Sequence, residues 1–352
     1  MYSGGVSGHS FEFGVDTFGD VTLDAAGALR PQAQVLRDVV EEAVVAEQVG
    51  LDCFGVGEHH REDFAVSAPE VVLAAIGGRT SRIALGSAVT VLSTDDPVRV
   101  FQRFSTLNAL TNGRAEVILG RGSFTESYPL FGHDMAHYEL LFEEKLELFA
   151  GLVKGGPVTW SGKTRTALRN QRVYPPIESG TLRTWVGVGG SPESVVRAAR
   201  YGFALTLAII GGPPQRFRSY VDLYHQALEK FGHPPQPIAV HSPGHVAATD
   251  DQARQQLWPH YERMMTRIGG ERGWPPVTRT QFEHEAGPGG ALCVGSPATV
   301  AAKIINTVKT LGLSRFDLKY SNGALPHEQA TASIELIGRE VAPRVRDAVQ
   351  AS

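Results

Sequence analysis

Eight short runs rich in β-branched and aromatic residues recur along the chain, and a stretch of helical periodicity follows most of them. The runs are residues 11–18, 53–58, 84–91, 115–120, 183–189, 203–210, 237–246 and 315–320. Parallel strands need crossovers, usually helices, so this alternation predicts a parallel sheet. Eight such units close naturally into an α/β (β/α)₈ barrel. A doubly wound open sheet is the alternative. After the first run, Leu36, Val39, Val40, Ala43 and Val44 share a helical face, and Gly50 ends the helix. Pro97 suits the first turn of the third helix, with Asp96 as its cap. Tyr138, Leu141, Phe142, Leu148, Phe149 and Leu152 form a stripe that Lys145 interrupts. Ile334, Ile337, Val341 and Val345 line one face of the last helix.

Barrels of this kind often run to 352 residues as one domain, so a single domain over residues 1–352 is expected. Two stretches exceed a minimal barrel. Residues 158–176 read as a hairpin before the fifth strand. Residues 269–290, rich in Gly and Pro, read as a loop before the eighth. Such insertions are lids, binding loops or decoration. A net charge of −4 points to neither nucleic acid nor an anionic membrane. No apolar run approaches the roughly 20 residues that span a bilayer. Cys53 and Cys293 form neither a CxxC pair nor a disulfide framework. The opening MYSGGVSGHS lacks a basic segment followed by an apolar one, so no secretory signal is expected. A reduced, cytoplasmic protein fits these features.

In such barrels the active site lies at the carboxyl ends of the strands. After the second run come Glu58, His59 and His60; after the fourth, Gly120, Arg121, Gly122 and Ser123; after the eighth, Ser321, Asn322 and Gly323. After the fifth, Gly189 and Gly190 precede Ser191, which caps a helix whose first turn holds Pro192 and Ser194. A glycine turn before a helix N-terminus suits phosphate, and Arg121 ends the neighbouring strand. The alternative is an ordinary glycine turn with a serine cap. The turn is not the dinucleotide fingerprint, because Pro192 stands at its third glycine position. Adjacent histidines point to opposite faces of a strand, which argues against a metal site. His59 shares the parity of Gly55 and Gly57, small residues that leave room for a flat ligand, so His59 is expected in the pocket. Two hydrogen-bonded rim histidines are the alternative.

The ordered set GEHH, GSAVTVLSTDDPVRV, LTNGRAEVILGRGSFTESYPLFG and VGVGGSPES resembles the bacterial-luciferase-like flavin-dependent oxidoreductases. The likeness runs from Phe11 to about Arg344. It implies a TIM barrel binding FMN or, in a sister branch, the deazaflavin F420. It places the catalytic histidine at His59, with Glu58 tuning it. It places the phosphate arginine at Arg121, and the phosphate loop at Gly189, Gly190, Ser191 and Ser194. A cis peptide supporting the flavin falls at Ala88–Val89, and Ser123 and Tyr128 help frame the ring. Two departures stand out: Gly120 replaces the cysteine of luciferase itself, and Gly190 replaces a phosphate-loop glutamate, so light emission is not implied. Asn108 stands where many relatives carry aspartate.

The function implied is FMN-dependent monooxygenation of a small organic substrate. Reduced FMN and O₂ would react through a C4a-peroxyflavin. The resemblance further implies a separate flavin reductase as partner and a homodimer. F420-dependent hydride transfer on the same barrel and a non-catalytic flavin-binding protein are the alternatives, with a metal-dependent barrel hydrolase behind them.

Overall fold

The computed structural model describes residues 11–178 and 180–351. The opening decapeptide, read above for its lack of a secretory pattern, lies outside them. The eight expected strands are β1 (Glu12–Thr17), β2 (Cys53–Val56), β3 (Ala84–Ser87), β4 (Ala115–Gly120), β5 (Arg183–Val188), β6 (Ala204–Ala208), β7 (Ile238–Val246) and β8 (Arg315–Lys319). Every neighbouring pair is parallel. β8 pairs back onto β1, from Glu12↔Arg315 to Asp16↔Lys319, and this closes the barrel and excludes the open sheet. The third run is not continuous. β3 stops at Ser87, the Ala88–Val89 peptide is cis, and Thr90–Val91 resumes pairing with β4.

The helices form for the expected local reasons. Asp96 caps Pro97–Leu110 by accepting from the N–H groups of Val98 and Arg99. Lys145 interrupts the stripe of Tyr138–Val153 with a purpose: it is 3% exposed and its Nζ donates to the Ser93 carbonyl at 2.7 Å. Burial lowers its ammonium to about 8. Ile334, Ile337, Val341 and Val345 are all fully buried along the C-terminal helical run.

The hairpin before β5 is present, with Val158–Trp160 antiparallel to Leu168–Gln171. The expected loop over 269–290 is half helix. Asp250–Glu271 continues through Gly269 and Gly270, and Arg279–Ala286 starts at a capping box formed by Thr278 and Gln281. A glycine costs a helix about 1 kcal/mol. Ion pairs near this helix end oppose that cost: Arg267 binds Glu62 and Asp63, and Glu271 binds Arg61. Residues 272–278 and 287–290 remain loop. Cys293–Gly295 adds a short strand beside the outer end of β7, which periodicity did not indicate.

Outward strand residues such as Phe54, Val56, Leu119 and Val186 are fully buried in the main apolar core. The barrel interior is ionic at its floor. Arg315 Nε donates to Asp317 at 2.8 Å, its Nη1 pairs with Glu116, and Trp185 Nε1 donates to Glu116 at 3.2 Å. Burial raises Asp317 to about 6 against the lowering by Arg315. Small neighbours make this packing possible. A Cβ on Gly14 would strike the Asp317 carboxylate, and one on Gly86 would lie 2.9 Å from Glu116 Cγ.

Candidate active site

A cavity of about 410 Å³ opens at the carboxyl ends of the strands. That volume falls within the roughly 300–1,000 Å³ of small-molecule and cofactor sites. Its walls include Val89, Val91, Ile118, Met264, Met265 and Ile268, and its floor includes Asp16, Thr206, His241, Arg315 and Asp317.

Both His59 and His60 border this cavity, so strand parity does not separate them. The reason is that β2 ends at Val56 and the chain leaves strand geometry before either histidine. Gly55 borders the cavity as expected. The room beside the two glycines is taken by protein, however: a Cβ on Gly55 would lie 2.9 Å from Asp16 Cβ, and one on Gly57 2.5 Å from Phe18 Cδ1.

The two histidines differ in their partners. The His59 ring lies 4.4 Å from Phe18, 4.4 Å from Phe64 and 5.4 Å from Phe124 between centroids. Its Nδ1 is buried without a hydrogen-bond partner. Burial, with added repulsion from Lys319, His60 and Arg61, lowers His59 to about 3. His59 is therefore a neutral imidazole at pH 7. The Glu58 carboxylate is engaged away from the His59 ring. Its Oε1 meets His60 Nε2 at 2.9 Å, and its Oε2 accepts from the Val91 N–H at 2.8 Å. The expected tuning of His59 by Glu58 is thus replaced by a tie between Glu58, His60 and the strand after the cis peptide.

Ala88, Val89, Arg121, Ser123 and Gly189 border the cavity. Tyr128 does not. It is fully buried, stacks on Tyr138 at 5.7 Å and donates its hydroxyl to the Arg121 carbonyl at 3.3 Å. Tyr138, read above as part of an apolar stripe, borders the cavity instead, as does Tyr261, and the Arg121 guanidinium sits 5.2 Å from the Tyr138 ring centroid. Arg121 Nη1 also donates to Glu139 Oε1 at 2.5 Å, and the other Glu139 oxygen binds Arg197 at 2.7 Å.

Ser191 caps the helix Pro192–Arg200, accepting from the Ser194 N–H at 3.4 Å and donating to Glu193 at 2.7 Å. Gly190, Ser191 and Ser194 lie outside the cavity lining, at the adjoining rim. Gly190 has φ +145°, which favours glycine, and a Cβ on Gly189 or Gly190 would meet open space. The Ser194 hydroxyl is buried and unpartnered. These features fit a phosphate, provided that Glu139 yields Arg121 to it.

Residues 250–274 close the mouth. Met264, Met265, Ile268 and Trp274 face the cavity, and Arg61 ties Glu271 of the helix to Glu126 beyond β4. Arg272 donates to the Ser123 carbonyl at 3.1 Å. The Gly/Pro stretch hinted at this cover; the apolar Met264–Met265 pair within a polar helix was the overlooked signal.

The Luciferase-like monooxygenase family matches residues 17–315 of this chain. The chain belongs to that family. The chain is 29% identical to a 4-hydroxyprotoasukamycin monooxygenase of Streptomyces nodosus subsp. asukaensis, over 89% of the chain and 88% of the relative. It is 26% identical to an alkanal monooxygenase alpha chain of Photorhabdus laumondii, over 61% of the chain and 60% of the relative. The chain thus spans somewhat over half the length of several curated relatives it matches. Among solved structures, the monooxygenase RslO1 from Streptomyces bottropensis superposes with a TM-score of 0.81 at 22% identity, covering 94% of this chain and 99% of that one. The oxygenating constituent of 3,6-diketocamphane monooxygenase from Pseudomonas putida, in complex with FMN, gives 0.75 at 20%, covering 95% and 98%. The F420-dependent tetrahydromethanopterin reductase from Methanopyrus kandleri gives 0.72 at 18%, covering 96% and 99%. These likenesses carry the fold. At Gly120 this luciferase-like chain has little space for a side chain, because a Cβ there would lie 2.5 Å from Val89 Cγ2.

Proposed function

We propose that this luciferase-like chain is an FMN-dependent monooxygenase that takes reduced FMN and O₂ and oxygenates a small organic substrate. The observation that carries this reading is the neutral His59, ring-packed and with a free Nδ1, in the same cavity as Ala88–Val89 and Arg121. When bound, reduced FMN supplies the electrons that activate O₂. The chain's own residues bind, orient and exclude water. Arg121 and the Gly189–Ser194 turn would hold the phosphate, with Glu139 exchanging off Arg121. The backbone of Ala88–Val89, with Gly120 and Gly187, offers a flat wall for the ring. His59 would offer a hydrogen bond from an uncharged ring held by three phenyl groups. Glu58 would act as a positioning residue through His60 and Val91. The helix Asp250–Glu271 would keep water out through Met264, Met265 and Ile268. A separate reductase would deliver reduced FMN, and two copies would pair as a homodimer.

F420-dependent hydride transfer is the second reading, supported by the F420-dependent structural neighbours. The test mixes the pure protein with anaerobically reduced FMN, then with O₂, without nicotinamide, and follows stopped-flow absorbance and oxygen uptake. Flavin reoxidation is expected to depart from that of free FMN, and reduced FMN to bind more tightly than oxidised. Reoxidation identical to free FMN, together with tighter binding of F420, would favour the second reading. Rapid NADH or NADPH oxidation by protein plus FMN would replace the two-component scheme with a self-sufficient one.

A further inference from the structure

The cavity floor carries unmet hydrogen-bonding capacity. Asp16 is 2% exposed, and its Oδ2 accepts from His241 Nδ1 at 2.8 Å. Its Oδ1 is buried and has no partner. Thr206, 4% exposed, likewise leaves its Oγ1 unpartnered. Both residues border the cavity. Neighbouring cations are already paired: Arg315 with Glu116 and Asp317, and Lys319 with Asp20. A buried carboxylate oxygen without a donor is costly, so the floor is complementary to a donor supplied from the cavity.

We infer that Asp16, with Thr206 beside the same cavity, forms a subsite for a hydroxyl group on the organic substrate, whose apolar body fills the space beneath Met264 and Ile268. This rests on the cavity being the substrate site of the proposed monooxygenase. Asp16 Oδ1 accepts the hydroxyl proton in a hydrogen bond, and His241 holds the carboxylate in place. The acceptor-rich floor discriminates against a carboxylate at that end of the substrate.

The test uses 2-naphthol and 2-methylnaphthalene, which match in shape and differ in the donor, with binding read by calorimetry in the absence of cofactor. Wild-type protein should bind 2-naphthol at least roughly tenfold more tightly, the scale of a hydrogen bond to a charged group. Asp16→Leu should reduce that preference below about threefold, and Thr206→Val should reduce it by about threefold. FMN affinity, titrated separately, should stay within about threefold in both variants. Thermal melts check folding, and should Asp16→Leu fail to fold, Thr206→Val decides. Equal binding of the two probes by wild type, or a preference that survives the variants, would overturn the subsite. Loss of FMN affinity with an unchanged probe preference would assign the donor to the cofactor's ring amide and overturn the substrate assignment. A wild-type protein that binds neither FMN nor F420 would instead sink the cofactor reading, which the probes do not test.

Discussion

Arg315 stands at the floor of the cavity with a side chain 2% exposed, bound to Glu116 and Asp317. Arg121 stands at the rim with a side chain 23% exposed and pairs with the half-exposed carboxylate of Glu139. The two guanidiniums border one cavity under different constraints. Removing Arg315 would leave the buried Asp317 without its cation and Glu116 with only the more distant Arg183, at 3.6 Å, so the floor arginine is fixed structure. Arg121 can exchange its carboxylate for a ligand anion at little cost, because an exposed pair contributes about 0–1 kcal/mol. A charged residue at this cavity thus reads as scaffold or as ligand contact according to what its departure would leave behind.

The largest expected effect sharpens that contrast. Arg315→Met should lower stability by about 3–5 kcal/mol in urea unfolding, while Arg121→Ala should change it by less than about 1 kcal/mol. Equal losses would erase the distinction between floor and rim. Next comes His59→Ala, which should cut oxygenation roughly 10²-fold and leave FMN affinity within a few-fold. His60→Ala should do less to oxygenation, because His60 meets Glu58 and not the free space at His59. A reversed ranking, measured as product formed per reduced FMN, would move the ligand contact to His60.

A smaller effect lies in pH. Burial lowers His59 to about 3, so between the ordinary histidine value of about 6.5 and that value the unfolded chain binds a proton that the folded chain refuses. This contribution makes stability fall as pH drops through that window and leaves it flat above. His59→Leu should flatten the acid limb of a stability profile; superimposable limbs would contradict a neutral His59. The smallest effect concerns the cover. Limited proteolysis should cut within 272–278, and FMN should slow cutting several-fold. Cleavage indifferent to FMN would detach this segment from the site.

The eight strands were legible because each is a short β-rich run, with caps such as Asp96 marking helix starts. The strand-end rule then brought His59, Arg121 and Gly189 to one cavity. The interruption at Ala88–Val89 came from the resemblance alone, since Gly86 and Ser87 within an otherwise β-rich run do not by themselves mark a break. Parity failed at His59 and His60 because it holds only inside a strand. The floor network was not legible: Glu116 and Arg315 lie 199 positions apart and meet only across the closed barrel. Tyr138 was hidden because a stripe residue at a helix start has the same pattern whether it faces the core or a cavity. Gly269 and Gly270 read as breakers, since ion pairs from Glu271 and Arg267 to Arg61 and Glu62 of a distant loop have no local signature.

In the proposed function, the rim arginine holds the phosphate of a flavin lying in this cavity. The most direct test of this is a titration of wild-type protein and Arg121→Ala with reduced FMN and reduced riboflavin under anaerobic conditions. The loss should be at least roughly tenfold for FMN and under about threefold for riboflavin, the scale of a charged hydrogen bond made only by the phosphate. An equal loss for both ligands would place Arg121 away from the phosphate and contradict the account.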